Sequence, residues 1–433
     1  MITPSFGLTA TERVLPKLAL DFTTASLDSR VTFTRTTGAS NPATYVNSSG
    51  YITASTNNQP RFDYDPVTLA CKGLLIEESR TNLVLQSEDF STTWTSSAPY
   101  SVATNTAISP DGTQNADSVI VASGSTSFNA NVTKQTATKA ASAIPHTRSC
   151  YFKALGATTS VRLSDYGSSG TNSASVIVSL IDGSVITAPS VTGTFTSASV
   201  VTSNAGNGWW RVSFTYTTDT ATSLTIRSFP YVGASQLTGD DTSGLYIWGA
   251  QLEAAAFATS YIPTTTAALT RNADVATMTG TNFSDWFNAS EGTFTAKCVF
   301  NAPTSFGTVQ HILSASDSTT SNRISIYRAN ATGNFTARIA TGGVTANPGD
   351  NGVLAASTNV NVGIAYKVGA SQGITGNASA LSSASSPASL PTVTKLTIGC
   401  GVDSASQFLN GTYQKLFYYP QRLINTEVQA NTK

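Results

Sequence analysis

Residues 208–216 read GWWRVSFTY, and in extended chain they divide cleanly: Trp210, Val212, Phe214 and Tyr216 point one way, Trp209, Arg211, Ser213 and Thr215 the other. One side is apolar and the other can meet water, the signature of a strand buried on a single face. The same period of two recurs along the chain, in SVIVSL (175–180), GLYIWGAQLE (244–253), GTFTAKCVF (292–300), RISIYRA (323–329) and KLTIGCG (395–401). Turn signals such as PDG (110–112), IDGS (181–184) and NPGDNG (347–352) separate many of these runs. A helical period is visible only in TNFSDWFN (281–288) and LINTEVQANTK (423–433), each long enough for a short helix. Many short strands punctuated by Gly, Pro and Asn predict an all-β protein of packed sandwiches and not a parallel α/β sheet.

The totals agree. A chain of 433 residues exceeds what one core usually supports, so two to three domains are expected. Charged residues make up only 11%, against about 25% in average soluble proteins, so Ser, Thr, Asn and Gly must keep the surface wet. With Lys+Arg and Asp+Glu equal at 24 each, no basic field points to nucleic acid or to an anionic membrane. No apolar run approaches the roughly 18 residues of a membrane helix, and the opening MITPSFGLTATERVLP lacks the charged-then-apolar order of a secretion signal, so neither membrane insertion nor a standard export route is expected. Cys71, Cys150, Cys298 and Cys400 are far apart and form no metal-binding motif. A Cys298–Cys400 bridge is open on spacing alone; free buried thiols are the expectation.

Changes of texture suggest three parts: an irregular, β-rich segment over 1–85, a run of strands over 86–265, and a second over 266–433. AAFATSYIPTTTAALTRNAD (255–274) breaks the pattern between the last two, and SALSSASSPASLPT (379–392) reads as a long exposed loop.

Resemblance adds a class. VTFTRTTGA (31–39), YVNSSGYI (45–52), QPRFDYDP (59–66) and GLLIEESRTNLVLQSEDF (73–90) resemble the N-terminal region of phage virion proteins of the head-fibre, head-spike and tail-fibre kind. NLVLQSEDFSTTWT (82–95), ISPDGTQNADSV (108–119), GNGWWRVSFTYT (206–217) and LYIWGAQLEAAAFATSYIPT (245–264) resemble a galactose-binding-like, carbohydrate-binding jelly roll. EGTFTAKCVF (291–300) and FLNGTYQKLFYYPQRLINTEVQ (408–429) resemble a concanavalin- or laminin-G-like sandwich. Together these imply a virion-anchoring segment followed by two displayed sandwiches. They also imply association with other virion proteins of head, collar or tail, a homotrimer, and a host-surface glycan as ligand.

Sugar sites pair an aromatic face with carboxylates and amides that take hydrogen bonds from hydroxyls. Trp94, Tyr100, Tyr166 and the outward Trp209 are the candidate platforms, although large aromatics usually help close a core. Tyr246 and Trp248 share a face and suit contact with a neighbouring module or subunit. Asp89, Asp111, Asp117 and Glu253 are the oxygen donors that could hold a structural Ca²⁺; the competing reading makes Asp111 the PDG turn and Glu253 a surface contact. For catalysis the chain offers two histidines, His146 and His311, in different modules, and none of the common catalytic motifs. The adjacent acids Glu77 and Glu78 read as solvated charge, or Glu77 as a partner of Arg80. The leading expectation is a non-enzymatic virion fibre or spike; a polysaccharide depolymerase and a ligand-free decoration protein are the competing ones.

Overall fold

The computed structural model describes residues 14–36, 43–127, 134–168, 170–303, 307–330, 332–346, 350–353, 359–370, 372–377, 382–384 and 387–433. Parts of VTFTRTTGA, NPGDNG and SALSSASSPASLPT fall outside them. The protein is all-β: four antiparallel sheets of six to eight strands form two sandwiches, and the α-helices among the described residues are Thr281–Ser284 and Asn425–Asn431, inside the two stretches with a helical period. No helix among the described residues is long and apolar enough to cross a membrane.

The first sandwich packs two six-stranded sheets. One carries Lys134–Thr138, Ser223–Val232, Ser160–Gly167, Ser173–Ser179 and Val185–Thr192, with Ser235–Gln236 paired to the end of Ser223–Val232; the other runs Thr196–Asn204, Trp210–Thr217, Pro145–Leu155, Gly244–Glu253, Ala116–Val121 and Tyr100–Ala107. The inward face read from GWWRVSFTY is correct, since Val212, Phe214 and Tyr216 meet Val161, Leu163, Val176 and Ile226 of the opposite sheet in one core. In the second sandwich, Phe294 and Ala296 of strand Glu291–Phe300 face Ile324 and Ile326 of strand Arg323–Arg328. Cys298 and Cys400 lie in this core as free thiols.

The described residues of the segment 1–85, read from the sequence as an element of its own, are shared between the sandwiches. Leu18–Asp21 pairs along Gly411–Tyr419 with Leu18 opposite Tyr418, Cys71–Ile76 joins the far end of the same strand, and Thr32–Thr34 borders Val275–Thr279 in the other sheet. Gly73, at φ +108°, lies so close to Tyr413 that a Cβ would sit 2.2 Å from its carbonyl oxygen, so this pairing requires glycine. The hairpin of Ala43–Val46 and Ile52–Ser55 instead lies on the first sandwich, where Ile52 packs with Tyr151, Trp209, Trp248 and Tyr261. The break at 255–274 is also no free linker: Phe257, Tyr261 and Ile262 are buried, and Asn82 donates to the carbonyls of Ala250 (3.1 Å) and Ile262 (2.8 Å). Of the stretch read as a long loop, Ser382–Ala384 is an edge strand.

Where these pieces meet lies a buried charge network. Arg61 donates to Glu77 (2.8 Å), to Ser260 Oγ (2.6 Å), to the Thr44 carbonyl (2.8 Å) and to Asp274. Arg35 donates to Asp274 (2.8 Å) and Ser55 (2.6 Å), and Arg271 approaches Glu77 at 3.4 Å. Glu77 is therefore neither solvated nor the partner of Arg80, which pairs with Glu78. Burial pushes the Glu77 carboxyl up, but Arg271, Arg61 and the Ser260 hydrogen bonds override it and hold it at about 2.

A carboxyl depressed in the folded state stabilises fully above its unfolded value of about 4.3, and that stabilisation is lost as pH falls towards 2. Glu77→Gln should cost about 3–5 kcal/mol at pH 7 in urea unfolding and flatten the decline of stability between roughly pH 4.5 and 2. A thiol reagent should titrate only the half-buried Cys71 in the native protein, because burial raises the thiols of Cys150, Cys298 and Cys400, and all four cysteines after denaturation.

Candidate functional site

Between the N-terminal pieces and the outward face of the first sandwich lies a cleft of about 810 Å³. One wall is the hairpin 43–55 with the chain from Asp63 to Lys72, the other is strands Thr196–Asn204 and Trp210–Thr217, and residues 256–261 close one side. The alternation that buries Val212 and Phe214 turns Arg211, Ser213 and Thr215 towards this space, with Ser199 and Ser203 beside them.

Arg211 donates to Ser149 Oγ (3.0 Å) and to the Thr259 carbonyl (2.7 Å), and its guanidinium lies 5.5 Å from the centre of the Tyr151 ring. Its Nε is buried without a partner among the described residues. Across the cleft, Lys72 and Asp63 form an ion pair at 2.5 Å, while Asp63 also accepts from the Val46 amide (2.9 Å). Tyr45 is the half-buried aromatic of this wall. The lining thus combines hydroxyls, one ion pair, a braced guanidinium and an aromatic ring.

None of the four aromatic candidates lines the cleft. Trp209, expected outward and exposed, does turn away from the sandwich core but is 1% exposed: the hairpin covers it, and its Nε1 donates to the Ile108 carbonyl at 3.0 Å. Trp94 is buried against Phe90 with its Nε1 on the Gln86 carbonyl (3.0 Å), and Tyr100 is buried with its hydroxyl on Ser127. Tyr166 is half-buried in the other sheet, under the Arg227 guanidinium at 4.4 Å. Tyr246 and Trp248 do face a neighbouring element, the covering hairpin. Gly249, at φ +64°, lets the strand bulge there, where a Cβ would come within 2.9 Å of the Tyr151 ring.

The four oxygen donors are not drawn together, since among the described residues no three His, Cys, Asp or Glu gather as metal ligands. Asp89 accepts from the Ser91 amide (2.9 Å), Asp111 makes the PDG turn through the Thr113 amide (2.7 Å), and Asp117 accepts from the Phe90 (2.8 Å) and Asn105 (2.9 Å) amides. Glu253 is buried and not at the surface, where it accepts from the Thr259 amide (3.0 Å) and hydroxyl (2.5 Å). A Ca²⁺ takes six to eight oxygens, and among the described residues no set of three such side chains is offered to one. His146 is buried beside Thr218, and burial lowers its pKa.

Arg211 was legible in the alternation of GWWRVSFTY, but the aromatic beside it drew the assignment. Lys72, Asp63 and Tyr45 carried no signal, because chain far from the sandwich brings them to it.

Fold and cleft together define an all-β protein of two sandwiches with a cleft of mixed polar and apolar lining on the outward face of one. No family model and no curated protein matches the chain. Among solved structures it overlaps the CBM40 module of the Ruminococcus gnavus IT-sialidase at TM-score 0.29 and 14% identity, over 34% of this chain and 84% of that one. It overlaps domains LG4-5 of the mouse laminin alpha1 chain at TM-score 0.22 and 8% identity, over 79% and 88%, and a SAP-like pentraxin of Limulus polyphemus at 0.24 and 10%, over 34% and 70%. Overlaps this distant carry no argument about a ligand.

Trp209→Ala should lower stability by about 3–5 kcal/mol in thermal or urea unfolding, as for a large core aromatic. A solvent-exposed platform would cost no more than about 0.5 kcal/mol.

Proposed function

We propose that this chain is a non-enzymatic structural protein of a bacteriophage virion, a head or tail fibre or spike, that binds host-surface carbohydrate in the cleft beside Arg211. The observation that carries the binding half is the lining itself. Hydroxyls, the Asp63–Lys72 pair and Arg211 offer the donors and acceptors that match sugar hydroxyls, and Tyr45 offers a ring face. The virion half is supported by the sequence blocks between Val31 and Phe90 and by the way this segment ties the sandwiches together, as suits a projecting appendage. Assembly as a homotrimer alongside other virion proteins belongs to the same proposal.

The carboxylates favour binding over hydrolysis. Glycoside cleavage needs one carboxyl held protonated near a second. In the cleft Glu77 is held ionised by two arginines, Asp63 is paired with Lys72, and against the effect of burial the Thr68 and Val67 amides hold the Asp65 carboxyl below its ordinary value.

Calorimetry of the full chain against oligosaccharides from the host envelope tests this. Arg211→Ala and Tyr45→Ala should each weaken binding about tenfold, roughly 1.4 kcal/mol, with melting temperature little changed for Tyr45→Ala. No new reducing ends should appear on prolonged incubation, and light scattering should give three times the chain mass. New reducing ends would establish the depolymerase, and binding indifferent to both substitutions would remove the cleft from the account.

A further inference from the structure

The second sandwich carries a separate feature on the outer side of one sheet. Strands Gln310–Ser316, Arg323–Arg328 and Asn334–Thr341 lie side by side, with His311 opposite Tyr327 and Ser325 opposite Arg338. Alternation sends Ile324, Ile326, Phe335, Ala337 and Ile339 into the core. Arg323, Ser325, Tyr327 and Arg338 therefore share the other face. There a pocket of about 260 Å³ opens, with His311, Arg323, Tyr327, Arg338, Asn330 and Gln407 in its lining.

Two guanidiniums thus line one small space, and no Asp or Glu is among the described residues that line it. Burial, and then the positive charge of Arg338, make the cationic form of Arg323 less favourable. Arg338 lies 5.4 Å from the centre of the Tyr327 ring, which His311 flanks at 5.2 Å. His311 contributes no charge: burial and then Arg323 push it down to about 3, and its Nδ1 is 2.7 Å from Ser314 Oγ. The carboxylate whose field reaches His311 is Asp403, and its oxygens already accept from the Ala405 (3.0 Å) and Ser406 (3.1 Å) amides and the Ser406 hydroxyl (2.8 Å).

Arg323 is only 8% exposed, yet its Nε has no hydrogen-bond partner among the described residues, and neither does the fully buried Ser325 Oγ two residues on. The Arg323 Nε, beside a second guanidinium at the same pocket, is placed for an acceptor with more than one oxygen.

We propose that this pocket is a binding site for a sugar-borne oxyanion, the carboxylate of an acidic sugar, held by Arg323 and Arg338, with Asn330 and Gln407 at the ring hydroxyls. A guanidinium fork matches a carboxylate's two oxygens, which an ammonium does not. The site is on a different sandwich from the cleft and stands independently of it.

Calorimetry of the full chain tests this with four probes: galacturonic acid, galactose, galactose 6-sulfate and inorganic phosphate. Galacturonic acid should bind, more weakly as salt rises, and galactose should not bind at this site. Arg338→Gln, a half-buried position, should weaken galacturonate binding at least tenfold without moving the melting temperature. Arg323→Lys, which keeps the charge and loses the fork, should weaken it as well. Tighter binding of galactose 6-sulfate, or phosphate binding as well as galacturonate, would overturn the assignment to a carboxylate sugar. Galacturonate binding that survives Arg338→Gln but is lost in Arg211→Ala would place the acidic sugar in the cleft and remove this site. Loss in Arg338→Gln with Arg211→Ala unaffected supports it, whatever becomes of the cleft.

Discussion

Three arginines and two carboxylates, buried together, hold this protein's parts in register. Arg35, Arg61 and Glu77 come from the N-terminal segment, Ser260 from the crossing chain, and Arg271 and Asp274 from the entry to the second sandwich. Each ion would be costly to bury alone, so the set is stable only when all its members arrive. An interaction satisfied in one arrangement and penalised in others specifies geometry more than it adds stability.

Much of the remaining architecture follows. With the network in place, strand Cys71–Ile76 lies against Gly411–Tyr419, and the hairpin 43–55 settles on the outer face of the first sandwich. That hairpin converts a solvent face into a third small core around Trp209, Trp248, Tyr151 and Tyr261. Where its cover ends, the same face remains open as the cleft, and Arg211, braced by Ser149 and Thr259, stands at the transition. In the second sandwich Arg338 is half-buried on the outer face of its sheet, where the cationic pocket lies.

The alternation in GWWRVSFTY, GTFTAKCVF and RISIYRA determined the all-β class, the inward residues of both cores and even which way Trp209 and Arg211 turn, because a period of two is a local property of the backbone. The two short helices were legible for the same reason. Only the tertiary structure decided whether an outward residue is exposed, since that depends on chain more than a hundred residues away: Trp209 is covered by the hairpin around Ile52, Glu77 is sealed by Arg271, and Tyr45 meets the strand of Arg211. Local pattern sets direction, but burial and charge pairing are long-range. The cleft exists only once the network has joined the pieces, whereas the paired arginines of the second sandwich need only two neighbouring strands.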